Sequence, residues 1–145
     1  MATILHKPFI HAWRGRPPHM LRPDVPVWYR FLDANSSIFR QIYYDCLLGA
    51  PDLTPEEEQD PLKRGWRFNV SKRADVVATT DNRVLIIEVA DSPGLRALGQ
   101  LQVYRVLWLQ DPVIDKMESL LLICEEIDPH LRIAAQAHGI EVHVV

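Results

Sequence analysis

Cysteine is nearly missing from the 145 residues: Cys46 and Cys124 are the only two, both in apolar stretches without CxxC or histidine spacing. That argues against a disulfide scaffold, a zinc site and thiol redox chemistry, and for buried reduced thiols. Long hydrophobic runs are missing too. Stretches such as Leu120 to Cys124 fall far short of the roughly 20 apolar residues of a membrane-crossing helix, and the amino-terminal region has no signal-peptide core. A soluble, intracellular (cytoplasmic) protein with no membrane partner is expected. The six histidines show no HxxxH or HxH spacing, so no histidine metal site is expected. Lysine is scarce, four against twelve arginines. Arginine suits bidentate contacts with phosphate or carboxylate, but a GC-rich genome produces the same bias, and both explanations stay open.

What is present is a core. A hydrophobic content of 48% with 24% charged residues suits one folded domain and excludes a disordered chain. The net charge of −3 hides an alternation: residues 1–30 and 63–105 each carry +4, whereas 31–62 carry −6 and 106–145 carry −5. The basic blocks are candidates to face a polyanion.

Residues 1–26 hold five of the eleven prolines, which leaves too few backbone donors for a regular helix or an interior strand. An extended Pro/Arg-rich arm is expected, anchored by Phe9, Ile10 and Trp13 to its own chain or to a partner. From 27 onward a single α/β domain is expected. Val27 to Leu48 reads as helical, with stripes at Trp28, Phe31 and Leu32 and at Ile38, Ile42, Asp45 and Cys46, a cap at Asn35-Ser36-Ser37, and a stop at Gly49 and Pro51. Asp52 to Asp60 reads as a polar, acidic loop whose three consecutive glutamates form a solvated turn or a short extra helical turn. The period then changes to two, and Trp66–Ser71, Ala74–Thr79 and Val84–Asp91 read as strands, the last nearly all apolar and so central in the sheet. A helix from Leu95 to Gln110, a strand at Leu120–Glu125, a helix at Pro129–His138 and a strand at Ile140–Val145 complete the order α-β-β-β-α-β-α-β.

The informative pair is Asp75 and Glu88. The hairpin through Thr80–Arg83 sets their strands side by side, and an ionised Glu88 within Ile86-Ile87-Glu88-Val89-Ala90 is costly to bury without a cation or a donor. A hard divalent ion prefers carboxylate oxygens and a backbone carbonyl, and can activate water and stabilise a leaving oxygen. The alternatives are that Asp75 caps a turn or pairs with Lys72 or Arg73, and that Glu88 pairs with Arg73 or Arg96 without a metal.

On these residues the chain resembles the PD-(D/E)XK nuclease superfamily, the restriction-endonuclease-like fold of a mixed sheet flanked by helices. The resemblance implies that Asp75 is the first acidic motif residue and that Glu88-Val89-Ala90 stands where the family has E-x-K. The lysine is missing, because Ala90 cannot orient a water or offset charge. Gln100 and Tyr104 match the family's Q-x-x-x-Y pattern on the following helix, with Arg96 one turn earlier. The implied activity is hydrolysis of DNA phosphodiesters with Mg2+ or Mn2+ held by Asp75, Glu88 and the Val89 carbonyl. Asp45 would assist as a helix-borne acid, and Gln100 or Arg73 would orient water or phosphate. Lys72, Arg96 and Tyr104, with Arg14 and Arg16 of the arm, are the nucleic-acid-binding candidates. Without the lysine, a second expectation is a catalytically inactive binding or assembly subunit, for example of a phage or mobile-element particle. A third is an accessory domain for a separate nuclease or recombinase. The helix 95–110 is apolar over most of its circumference, so either it forms a homo-oligomer or partner interface together with the arm, or the arm or first helix covers it.

Overall fold

The computed structural model describes residues 1–145. Its elements are β1 (Ala2–Ile4), α1 (Asp24–Ala34), a short 3-10 turn (Ser36–Ile38), β2 (Gln41–Ala50), α2 (Pro55–Glu58), α3 (Pro61–Val70), β3 (Lys72–Thr79), β4 (Arg83–Ala90), α4 (Leu95–Gln110), β5 (Met117–Cys124), α5 (Pro129–Ala137) and β6 (Ile140–Val144). The class is α/β: one six-stranded mixed sheet in the order β1-β2-β3-β4-β5-β6, flanked by helices. The strands from β1 to β4 pair antiparallel, and β5 and β6 join in parallel through crossover helices. No helix is long and apolar enough to cross a membrane.

Two layers of side chains hold the sheet. On one face α1 brings Val27, Trp28, Phe31 and Leu32 onto Ile42, Tyr44, Val76, Ile87 and Leu121. On the other, α4 and α5 bring Leu101, Tyr104, Trp108 and Ala135 onto Cys46, Leu48, Val77, Ile86 and Leu122. VLIIEVA is central in the sheet, as its composition predicts, with Val84, Ile86, Ile87 and Val89 all buried. Both cysteines are free and buried, and burial pushes the Cys46 thiol upward. Within the first layer the Trp28 indole N–H donates to the Tyr44 hydroxyl at 2.9 Å. Tyr44→Phe should therefore lower stability by about 1–3 kcal/mol, since a buried donor loses its acceptor. Thermal unfolding beside Tyr43→Phe, whose hydroxyl bond to Gln41 is exposed and should matter little, checks this.

Several expected elements fall elsewhere. The helix predicted over 27–48 divides into α1, the 3-10 turn and β2. α1 begins earlier, at Asp24, and ends at Asn35, whose side-chain amide donates back to the Phe31 carbonyl at 2.9 Å. Residues 41–50 are a strand because Ile42, Tyr43 and Tyr44 pair with Ala78, Val77 and Val76 of β3. The strand predicted at Trp66–Ser71 is the end of helix α3, which starts on Asp60, whose carboxylate accepts the Leu62 N–H, with Pro61 in the first helical position. The observed order is thus β-α-β-α-α-β-β-α-β-α-β.

The amino-terminal segment is extended but tied to its own sheet. Ala2 and Ile4 pair with Ala50 and Leu47 of β2, and the Phe9 N–H donates to the Ile42 carbonyl at 2.8 Å. Phe9 and Trp13 stack with each other and with Tyr44. Ile10 is exposed rather than an anchor, and the boundary placed after residue 26 lies inside α1. Neither α1 nor this segment encloses α4, which leaves Leu95, Val103, Val106 and Leu109 exposed.

Candidate active site

Pairing of β3 with β4 runs through Val76 opposite Ile87. One step further on, Asp75 and Glu88 come side by side, and their carboxyl groups are within hydrogen-bonding reach of each other. Asp75 also accepts the Val89 N–H at 2.9 Å, so it takes over a backbone donor where the two strands part. The polar turn at 80–83 fixes this register: the Thr80 hydroxyl accepts the Arg83 N–H. The spatial pairing expected from the hairpin is therefore present.

The charges around the pair are unusual. Neither acid forms an ion pair. Arg73, a proposed partner of both, is turned to Asp45, with 3.1 Å between Nε and Oδ1. Glu88 Oε2 is buried and has no hydrogen-bond partner. Burial first, and the neighbouring Asp75 charge second, push Glu88 up to about 10. Asp75 is also raised, chiefly by burial, against the lowering effect of its hydrogen bonds. Two acids that close lose the second proton only at a raised pH, and a cation beside them would lower it again.

Asp45 is not on a helix. It lies in β2, between the pairs Tyr44–Val76 and Cys46–Ala74, and so in register with Asp75 on the next strand. Its φ of +50° is a left-handed conformation that Asp tolerates better than most side chains. Tyr44 therefore faces the α1 layer while Cys46 faces the α4 layer. Asp45 is buried between Arg73 and His19 Nε2, the latter at 3.6 Å. It is thus compensated, and anchors Arg73 rather than offering a free ligand.

The helix-borne acid near the pair is Asp24, not Asp45. It sits in the first turn of α1, buried, accepting the Asp91 N–H at 2.9 Å. Burial raises it despite that hydrogen bond, and the Asp75 charge adds to the rise. Its signal was the Pro23-Asp24 step at a helix start, masked by the surrounding prolines.

Tyr104 closes the other side. Its hydroxyl donates to the Arg73 carbonyl at 3.0 Å, and burial together with the Glu88 charge raises its phenol. Beyond Tyr104 and Arg73 opens a groove of about 560 Å³ whose walls include Lys72, Arg96, Gly99 and Gln100 and no acidic side chain. Lys72, Arg73, Arg96, Gln100 and Tyr104 are thus brought together as expected. Arg14 and Arg16 are not among them. Arg14 pairs with Asp33 at 2.6 Å and lies over the Tyr29 ring, and Arg16 donates to the Met20 carbonyl, so both hold the arm in place. A second concavity, near Arg40, Asp81 and Glu141, has its charges already paired.

No three His, Cys, Asp or Glu side chains converge closely enough to hold an ion by themselves. The fit to a hard divalent ion rests instead on two adjacent carboxylates, one with an unpartnered buried oxygen, and a nearby backbone. That suits Mg2+, which commonly takes one or two carboxylates and keeps several waters. No family model, curated protein or solved structure matches the chain.

Proposed function

We propose that this chain is a degenerate PD-(D/E)XK nuclease-like protein with a restriction-endonuclease-like core, acting as a Mg2+- or Mn2+-dependent DNA phosphodiesterase. One observation carries the reading: Asp75 and Glu88 lie side by side with no cation of the protein's own, and Tyr104, beside Glu88, lines a groove with basic and no acidic walls. Asp75, Glu88 and the Val89 carbonyl are the groups that would hold the ion, with the Asp24 charge nearby. When bound, such an ion lowers the pKa of water and stabilises charge on the leaving oxygen. Lys72 and Arg96 neutralise the phosphate groups on either side of the cleaved bond. Arg73, fixed by Asp45 and stacked over Phe68 at 4.4 Å, is set to contact the phosphoryl oxygens, and Gln100 to orient the attacking water. Tyr104 holds Glu88 and the Arg73 backbone in place.

A second reading is a non-catalytic binding or assembly subunit, as in a phage or mobile-element particle. It is favoured by Ala90, which leaves the strand without an ammonium beside Glu88, and by the exposed apolar side chains of α4. Incubation of wild type and Glu88→Gln with supercoiled and linear DNA and Mn2+ decides between the two. Cleavage by wild type alone supports the enzyme; no cleavage by either, with concentration-dependent assembly in light scattering, supports the subunit.

A further inference from the structure

The helix α3 has a composition that the carboxylate site does not explain. It is ten residues long and none of them is buried. Leu62, Trp66 and Val70, at i, i+4 and i+8, form a stripe exposed at 84%, 48% and 49%, so its apolar side chains face outward. Phe68 alone turns in, against His19 and Arg73. The Lys63 ammonium lies 5.6 Å from the centre of the Trp66 ring, and the helix itself carries Lys63, Arg64 and Arg67 with no acid. Lys63 and Arg67 are answered by Glu57 and Glu58, which leaves Arg64 as the uncompensated cation. The chain then passes directly into Ser71, Lys72 and Arg73, which wall the groove beside the carboxylate pair.

We infer that α3 is a substrate-reading surface, on which Trp66 stacks an unpaired base while Lys72 and Arg96 hold the backbone phosphates in the groove. The preferred substrate is then a single-stranded nucleic acid, or a duplex with a single-stranded flank. An indole offers its face to any base, but base faces are hidden in a continuous duplex; aromatic platforms beside cationic tracks are how sequence-tolerant single-strand binding is built. Leu62 and Val70 widen the platform on either side of the ring. Charge favours a polyanion over a protein partner: Lys72 and Arg96, in the groove that α3 leads into, form no ion pair, and no acidic side chain lines that groove. The inference rests on reading the groove as a phosphate track, but it does not require that the protein cut.

The test is fluorescence anisotropy of a labelled DNA single strand of about 20 nucleotides and of its blunt duplex, with the full chain in EDTA so that nothing is cleaved. Wild type should bind the single strand at least tenfold more tightly than the duplex. Trp66→Ala should weaken single-strand binding by about tenfold and leave duplex binding unchanged, while Trp66→Phe restores most of the loss. Lys72→Ala should weaken both alike, as a phosphate contact does. Because Trp66 lies on the outer face of α3 and is half exposed, unfolding temperatures of the Trp66 variants should stay close to wild type, and this is measured alongside. Equal single-strand binding by Trp66→Ala, or a wild-type preference for duplex, overturns the inference. So does the finding that Trp66→Ala abolishes self-association with DNA binding intact, which would make the stripe a protein interface. Single-strand binding without any cleavage would sink the proposed enzyme and leave this inference standing.

Discussion

Glu88→Gln makes the metal-free protein more stable near neutral pH. In the native state Glu88 sits well above its usual 4.5, pushed up by burial and by Asp75, whereas in the unfolded chain it ionises normally. A group raised on folding contributes stability that is complete below its unfolded value and is lost as pH rises through the folded one. The loss grows by about 1.4 kcal/mol per pH unit, and reaches roughly 3 kcal/mol near pH 7 for a group displaced this far. Glutamine keeps the shape, carries no charge, and can donate to Asp75. The gap between variant and wild type should therefore be small near pH 4.5 and widen steadily toward pH 8. Unfolding in denaturant across this range, in EDTA, measures it. Glu57, Asp81 and Glu141 are shifted the other way, lowered by hydrogen bonds or by their cationic partners, so their stabilisation is lost on acidification. They are common to both proteins and cancel in the difference. A gap independent of pH would mean that Glu88 is not held protonated by its neighbours.

Adding Mg2+ or Mn2+ should close most of that gap. A cation between Asp75 and Glu88 relieves the repulsion that disfavours wild type, and binding to the native state alone stabilises it by about 2.7 kcal/mol at a hundredfold excess over the dissociation constant. Glu88→Gln and Asp75→Asn should show little or no shift in unfolding temperature with metal. Cleavage of DNA should fall at least a hundredfold in both, because removing one charged group that acts on the transition state costs about that much. Titration calorimetry with Mn2+ and a single-turnover cleavage assay on the same preparations link binding to chemistry. Heat of binding that persists undiminished in both variants would place the ion elsewhere.

The parts of this site that could be read from sequence are those where one period governs. In β3 and β4 a polar turn separates two apolar runs, so the approach of Asp75 to Glu88 follows from counting residues outward from Thr80–Arg83. β2 could not be read that way. It is covered on both faces, and the left-handed residue at Asp45 sends Ile42 and Tyr44 to one layer and Cys46 and Leu48 to the other. Buried positions then recur irregularly, and a helical template fits them as well as a strand does. α3 was obscured differently: its apolar side chains face solvent, so their spacing does not report a core, and the Asp60-Pro61 start was the better guide. Asp24 shows a third limit. Its carboxylate matters because α1 docks it near Asp75 and Glu88, and such docking leaves no trace in the local pattern of residues.

The strand β1 has a consequence for handling the molecule. Its three residues and the single bridge at Phe9 are all that shields the outer rim of a ten-residue strand. Clipping the first nine residues would bare a row of unsatisfied amides and carbonyls, a template for adding strands from neighbouring molecules. The shortened chain should polymerise edge to edge even with its acidic pocket intact, so fusions and protease sites belong at the carboxyl end.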